Sequence, residues 1–281
     1  MRPQDLKVIW FFFGASLAQL ILCIFFTLFM PRSYINVEWD GASTINAFAR
    51  LLFVLSLLFF LSGVNVEIFR RYEINYMHIF DADHHFKITM AQFYKIGALF
   101  FAFFSTFLSI VYIEISFDYL DLLWEDSKRK VQDYDVDNTW FENYFGAVVM
   151  IILILLCVQP VVNILQRAAR MELMKVIFMI VISPFGTVRF RDFFFADVLT
   201  SMGQTAKDFG IIFQHITVPS SWTEDTNLSH LKTYNYVVAI LPFWWRFWQC
   251  IRKGYLSGNN MQFVNAAKYI SKIIPTVLVI Q

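Results

Sequence analysis

The chain has 281 residues, of which 58% are hydrophobic, 19% aromatic and only 16% charged, and its net charge is +1. Soluble domains carry about 25% charged and about 45–50% apolar residues. With 33 phenylalanines and a mean hydropathy of +0.53, the composition argues against a soluble enzyme, excludes intrinsic disorder, and gives no support for a basic nucleic-acid binder.

A helix that crosses a bilayer needs about 20 mostly apolar residues. Val8 to Met30 is uncharged over 23 residues; it is too long for a cleavable signal core and lacks a small-residue cleavage site, so it reads as a retained helix. Leu51 to Val66 is uncharged between Arg50 and Glu67 and reaches full span length if Arg50 snorkels to the interface. Ile96 to Ile113 is the third run, between Lys95 and Glu114, and Asn143 to Gln166, with 24 uncharged residues, is the fourth. Val176–Val188 has only 13 apolar residues and ends in Pro184 and Gly186. It reads as a short helix at the membrane surface or re-entering it. Three later stretches are apolar but interrupted by charge: 192–216 by Asp192, Asp197, Lys207 and Asp208, 233–251 by Arg246, and 263–281 by Lys268 and Lys272. These are predicted to be helices facing a polar interior. The expected fold is all-α, a polytopic transmembrane helical bundle with six complete spans, the start of a seventh, and a short surface helix near 170–185. The ending IIPTVLVIQ reads as C-terminally partial. Cys23, Cys157 and Cys250 lie far apart in apolar stretches and give neither metal spacing nor a disulfide framework.

Loop charges set an orientation. Arg2 and Lys7 precede the first run, Arg70, Arg71, Lys87 and Lys95 fall in 67–95, and Arg167, Arg170, Lys175, Arg189 and Arg191 fall in 167–191. Segment 114–142 has three bases against nine acids and reads as a solvated loop. The positive-inside rule therefore puts the N-terminus, 67–95 and 167–191 in the cytoplasm, with 217–232 outside and the Arg252-Lys253 turn inside.

Two stretches carry a specific pattern: PFGTVRFRDFFFADVLTSMGQT at 184–205 and PFWWRFWQCIRKGYLSGNNMQFVNAAKY at 242–269. Phe190, Asp192, Phe193, Ala196, Asp197, Leu199 and Ser201 form one ordered block. Pro242, Arg246, Phe247, Gln249, Cys250 and Arg252 form a second, and Asn265, Ala266, Lys268 and Tyr269 a third. Together they resemble the EXS domain of eukaryotic phosphate exporters, with weaker echoes at 61–71 and 74–80. The resemblance implies one EXS-type transmembrane domain over residues 1–281, a phosphate-transport role across a plasma or Golgi membrane, no enzymatic activity and no cofactor. Two departures stand out. Exporters of this family carry a cytosolic SPX domain, whereas only Met1 to Lys7 precede the first run, and they continue through further C-terminal helices. The expected layout, without SPX, resembles the Golgi EXS proteins of yeasts, implicated in retention of lumenal proteins and in glycosylation.

An ionisable group at bilayer depth is costly and usually faces a substrate path. Arg246, set among aromatics, offers paired N–H donors that match two phosphate oxygens; the plainer alternative is an interfacial arginine stacked on Trp245 or Trp248. Lys268 is a compact cation that could complete an anion site or snorkel to the cytoplasmic face. Tyr269 adds a hydroxyl, or is an interfacial tyrosine. Asp197 could accept the O–H of protonated phosphate and repel fully deprotonated anions such as sulfate, or simply pair with Arg246 or Lys268. Thr200 and Ser201 follow within one turn, so one hydroxyl can share its face. Asp83, His84 and His85, with His78, read as a solvated loop and not as metal ligands. Asn227-Leu228-Ser229 is a glycosylation sequon on a loop expected outside. No nucleotide loop, HExxH or GxSxG is present in the sequence. The partners expected are inorganic phosphate and membrane lipid, with homo-oligomerisation left open and no nucleic acid. The competing reading is a non-transporting Golgi membrane protein that retains glycosylation enzymes, or an inactive truncated fragment.

Overall fold

A computed structural model describes residues 3–29, 42–81, 89–124, 167–217 and 228–280, and isolated positions between 148 and 155. The described residues are helices joined by turns, with no strand among them. The helices are α1 Pro3–Phe29, α2 Ala42–Arg71, the single turn α3 Tyr76–Ile79, α4 Met90–Trp124, α5 Arg167–Val181, α6 Phe190–Ser201, α7 Gly203–Thr217, α8 Leu228–Ser257 and α9 Met261–Ile280. They fall into two compact units, Met1–Ile68 with Thr89–Val148 and Phe69–Ile88 with Val149–Gln281.

The first unit is built from uncharged runs. In hydrocarbon each backbone N–H and C=O must be satisfied within the segment, so such a run has little alternative to helix. Gln4–Phe25, Ala47–Arg71 and Met90–Val111 are each long and apolar enough to cross a bilayer. Phe11, Ile21 and Ile24 remain exposed on α1, as a lipid-facing side requires. Helix α1 runs parallel to α4: Asp5 pairs with Lys95, Phe13 stacks on Phe101, Ser105 Oγ donates to Gln19 Oε1 at 2.7 Å, and Cys23 Sγ lies 3.4 Å from Ser109 Oγ. Helix α2 runs antiparallel to α4: Glu67 accepts from Tyr94 Oη at 3.0 Å, Ser56 Oγ donates to the Gly97 carbonyl at 3.0 Å, and Phe48 meets Phe107 edge-on. Small and hydroxyl residues allow this close approach where no hydrophobic effect drives helices together. The direction of the chain therefore alternates through the first three predicted spans.

In the second unit, α5 stops at Val181 and turns through Ile182–Gly186, where Pro184 and Gly186 were expected to break it. The region 192–216, expected as one helix, is two. The Met202 N–H bonds the Leu199 carbonyl at 3.1 Å and the helix restarts at Gly203. At 12 and 15 residues, or about 18 and 22 Å at 1.5 Å per residue, neither half matches a hydrocarbon thickness of about 30 Å alone. Helices α8 and α9 form an antiparallel hairpin. Its turn holds Gly258 at φ +65°, a conformation that a Cβ would strain, and Asn259 Oδ1 caps the Met261 N–H at 2.9 Å. Segment 114–142, expected as a loop, begins as helix, because α4 continues to Trp124. The Asp83-His84-His85 cluster, Asn227 and all of the fourth predicted span but positions 148, 151, 152 and 155 lie outside the described residues.

Candidate functional site

The start of α6 fixes the site. The Arg189 N–H bonds Asp192 Oδ2 at 3.2 Å, an acidic cap on a helix N-terminus, and Asp192 is buried. One turn on, Ala196 packs with Val176 and Ile180 of α5. Asp197, on the adjacent position, is thereby directed toward α8 and α9.

Pro242 opens the stretch of α8 that carries the site and leaves the Val238 carbonyl without its helical donor. One turn later, Arg246 is 3% exposed. Its Nε and Nη2 donate to the same oxygen, Asp197 Oδ1, at 3.2 and 3.1 Å, and its Nη1 donates to Gln249 Oε1 at 3.4 Å. The guanidinium carbon lies 3.6 Å from the centroid of the Phe193 ring; such a contact is worth up to about 2 kcal/mol when desolvated. From α9, Tyr269 Oη donates to Asp197 Oδ1 at 2.8 Å. Three helices thus converge on one carboxylate oxygen. Asp197 Oδ2 takes no hydrogen bond among the described residues, and the side chain is 56% exposed.

The structure brings Asp197, Arg246 and Tyr269 into direct contact. Lys268 stands beside them, exposed, with Nζ 5.5 Å from the Tyr269 ring centroid. The Thr200 and Ser201 hydroxyls donate to the backbone carbonyl of Asp197, at 2.7 and 3.3 Å, and not to its carboxylate. Arg246 faces inward against Phe193, so the alternative of an interfacial arginine stacked on tryptophan gives way to an ion pair.

Sequence reasoning gave no role to Gln249, which is fully buried and donates from Nε2 to the Asp192 carbonyl at 3.3 Å. It clamps α8 onto α6 while orienting Arg246. Its signal was its place in the motif, three residues after Arg246, on the same helix face. Phe193 and Lys253 were also missed; Lys253 Nζ lies 4.4 Å from the Phe193 ring centroid. Cys250 is buried between Ala266 and Tyr269 and closes the floor of the site.

Apolar spans in one unit, and in the other helices packed around a buried guanidinium paired with a half-exposed carboxylate, define a polytopic helical membrane protein with an ionisable site. The chain belongs to the EXS family, whose family model matches residues 45–280 and so covers every candidate substrate position. Among curated proteins it is similar to the phosphate transporter PHO1 homolog 4 of Arabidopsis thaliana, 28% identical over 75% of this chain and 27% of that protein. It is 29% identical to PHO1 homolog 1 of the same plant over 79% of this chain and 26% of that protein. To the phosphate transporter PHO1 of that plant it is 23% identical over 97% of this chain and 34% of that protein. The chain therefore spans about a quarter to a third of the length of these relatives.

Proposed function

We propose that the chain is the transmembrane part of an inorganic phosphate transporter that exports or recycles phosphate across a plasma or Golgi membrane. The observation that carries this reading is the convergence of Arg246, Tyr269 and the half-exposed Asp197 on one point, in a chain similar to curated plant proteins named as phosphate transporters.

The chemistry follows from the donor set. The Nε–Nη2 edge of a guanidinium matches two oxygens of a phosphate, yet here both donors meet a single carboxylate oxygen. Two phosphate oxygens would satisfy that edge with better geometry. Asp197 Oδ2 is placed to accept the proton that phosphate retains near neutral pH, and a carboxylate repels an anion that has no proton to offer. Lys268 supplies a further positive charge at the exposed side. Thr200 and Ser201, whose protons are engaged by the Asp197 carbonyl, can contribute only lone pairs while those bonds last. Tyr269 holds Asp197 in register.

A second reading has its own supporting observation. Arg246 is buried, and each of its three nitrogens donates to Asp197 or Gln249, as in a purely structural ion pair, and such a pair would suit a non-transporting Golgi protein that retains glycosylation enzymes. Phosphate efflux from proteoliposomes separates the two readings. Arg246→Lys keeps the charge and loses the two-pronged edge. A charge-assisted contact contributes about 1.5–3 kcal/mol, so phosphate binding should weaken about ten- to a hundredfold. A parent protein without phosphate flux above empty vesicles contradicts the transport reading.

A further inference from the structure

Antiparallel packing of α8 and α9 sets their cations in order along the hairpin. Gly254 faces Phe263 near the turn, Cys250 faces Ala266 and Tyr269, and Phe243 faces Lys272, whose Nζ is 5.2 Å from the ring centroid. Counting outward from the turn, Lys253 comes first, beside Phe193. Arg246 with Tyr269 and Lys268 follows, and Lys272, beside Phe243, lies one helical turn beyond Arg246. Each of these cations is held near an aromatic ring, and among the described residues Asp197 is the one carboxylate that pairs with any of them.

Lys272 is the least expected member. It stands beyond the Asn-Ala-Ala-Lys-Tyr block, which ends at Tyr269. It follows Lys268 by four residues on the same exposed face of α9, a spacing at which like charges repel. It is 11 residues from the start of α9, roughly 16 Å at 1.5 Å per residue. With 263–281 read as a span, that is near half of a hydrocarbon layer of about 30 Å, too deep for a lysine stem to reach either headgroup layer with ease, and a charge held at such depth marks an ion path. Thr276 and Ser271 add hydroxyls along the same stripe, donating to the Lys272 and Lys268 carbonyls.

We propose that Lys272 forms a second oxyanion station, one turn past the Asp197–Arg246–Tyr269 site, onto which a tetrahedral phosphate passes before release. This rests on the phosphate-transport reading. A single tight site binds but does not conduct; a neighbouring site of the same sign lets the ion leave. The shared chemistry, a phosphate-bearing anion between ammonium groups, could be met by free phosphate or by a lipid headgroup, and the depth of Lys272 favours free phosphate.

The test is phosphate efflux from proteoliposomes holding the full chain, in phosphatidylcholine with and without phosphatidylserine, normalised to monodisperse protein. Lys272→Gln should lower maximal flux about tenfold in both lipids while leaving half-saturating phosphate within about twofold, and Lys272→Arg should keep most of the flux. Unchanged flux in Lys272→Gln, or equal loss in Lys272→Arg, overturns the proposal. A loss confined to phosphatidylserine vesicles assigns Lys272 to a headgroup and also overturns it. If flux depends on Arg246 but not on Lys272, only the second station fails; if the parent moves no phosphate, both readings fail.

Discussion

At the scale of single residues, the two oxygens of Asp197 have separate tasks. Oδ1 collects three donors from two other helices, while Oδ2, which takes no hydrogen bond among the described residues, is the proposed acceptor of a ligand's proton. Both tasks were legible in the sequence as alternatives, accepting a phosphate proton or pairing with Arg246 or Lys268. Their division between the two oxygens was not legible, because a carboxylate within one apolar stretch gives no register against an arginine 49 residues later. What was legible was the cost of both charges, which predicted that they face each other or a substrate. For Gln249 only its place in the motif was legible and not its role, because one of its partners is the backbone carbonyl of Asp192, and a backbone acceptor leaves no residue type to recognise. Gln249→Leu should leave that carbonyl and Arg246 Nη1 short of partners in a buried site, at about 1–3 kcal/mol. Thermal unfolding of purified protein would then show a lowered midpoint; an unchanged midpoint contradicts the clamp.

At the scale of elements, contact between α2 and α4 depends on missing side chains. A Cβ on Gly63 would come 2.7 Å from the Tyr94 ring, and Tyr94 cannot swing aside without giving up its hydrogen bond to Glu67. Gly63→Ala should destabilise the protein by about 1–3 kcal/mol through overpacking. Gly14→Ala, which meets nothing within 4 Å, should be neutral or slightly stabilising. Comparison of the two midpoints checks the claim, and equal midpoints contradict it. The helices of the first unit were readable because an uncharged run has one stable backbone solution in lipid. The break between α6 and α7 was not readable, because a glycine inside a helical pattern is tolerated and nothing in Met202-Gly203 distinguishes tolerance from a stop. It shows only in the i→i−3 bond from Met202 to Leu199.

At the scale of the molecule, sidedness follows from charge. Phe80 packs on Phe190 and Phe194, which sets the segment after α2 against the start of α6. The positive-inside count predicts that both lie in the cytoplasm. Single cysteines at Arg71, Arg189 and Tyr255 should react with an impermeant maleimide from one face of sealed vesicles, and a cysteine at Leu228 from the other. Reaction of positions 71 and 189 from opposite faces would contradict the orientation. The membrane class was legible from composition, the helical fold from the long uncharged runs, and the family from three ordered blocks. The function is another matter, because an ion pair that builds a site and one that only holds helices together have the same residues. Asp197→Asn separates them most directly, since it keeps size and removes the charge proposed to reject fully deprotonated anions. The measurement is the ratio of phosphate to sulfate efflux per folded molecule in proteoliposomes, for the parent and for Asp197→Asn. The account predicts that the ratio falls steeply while folded yield holds; an unchanged ratio with a lower folded yield would contradict it.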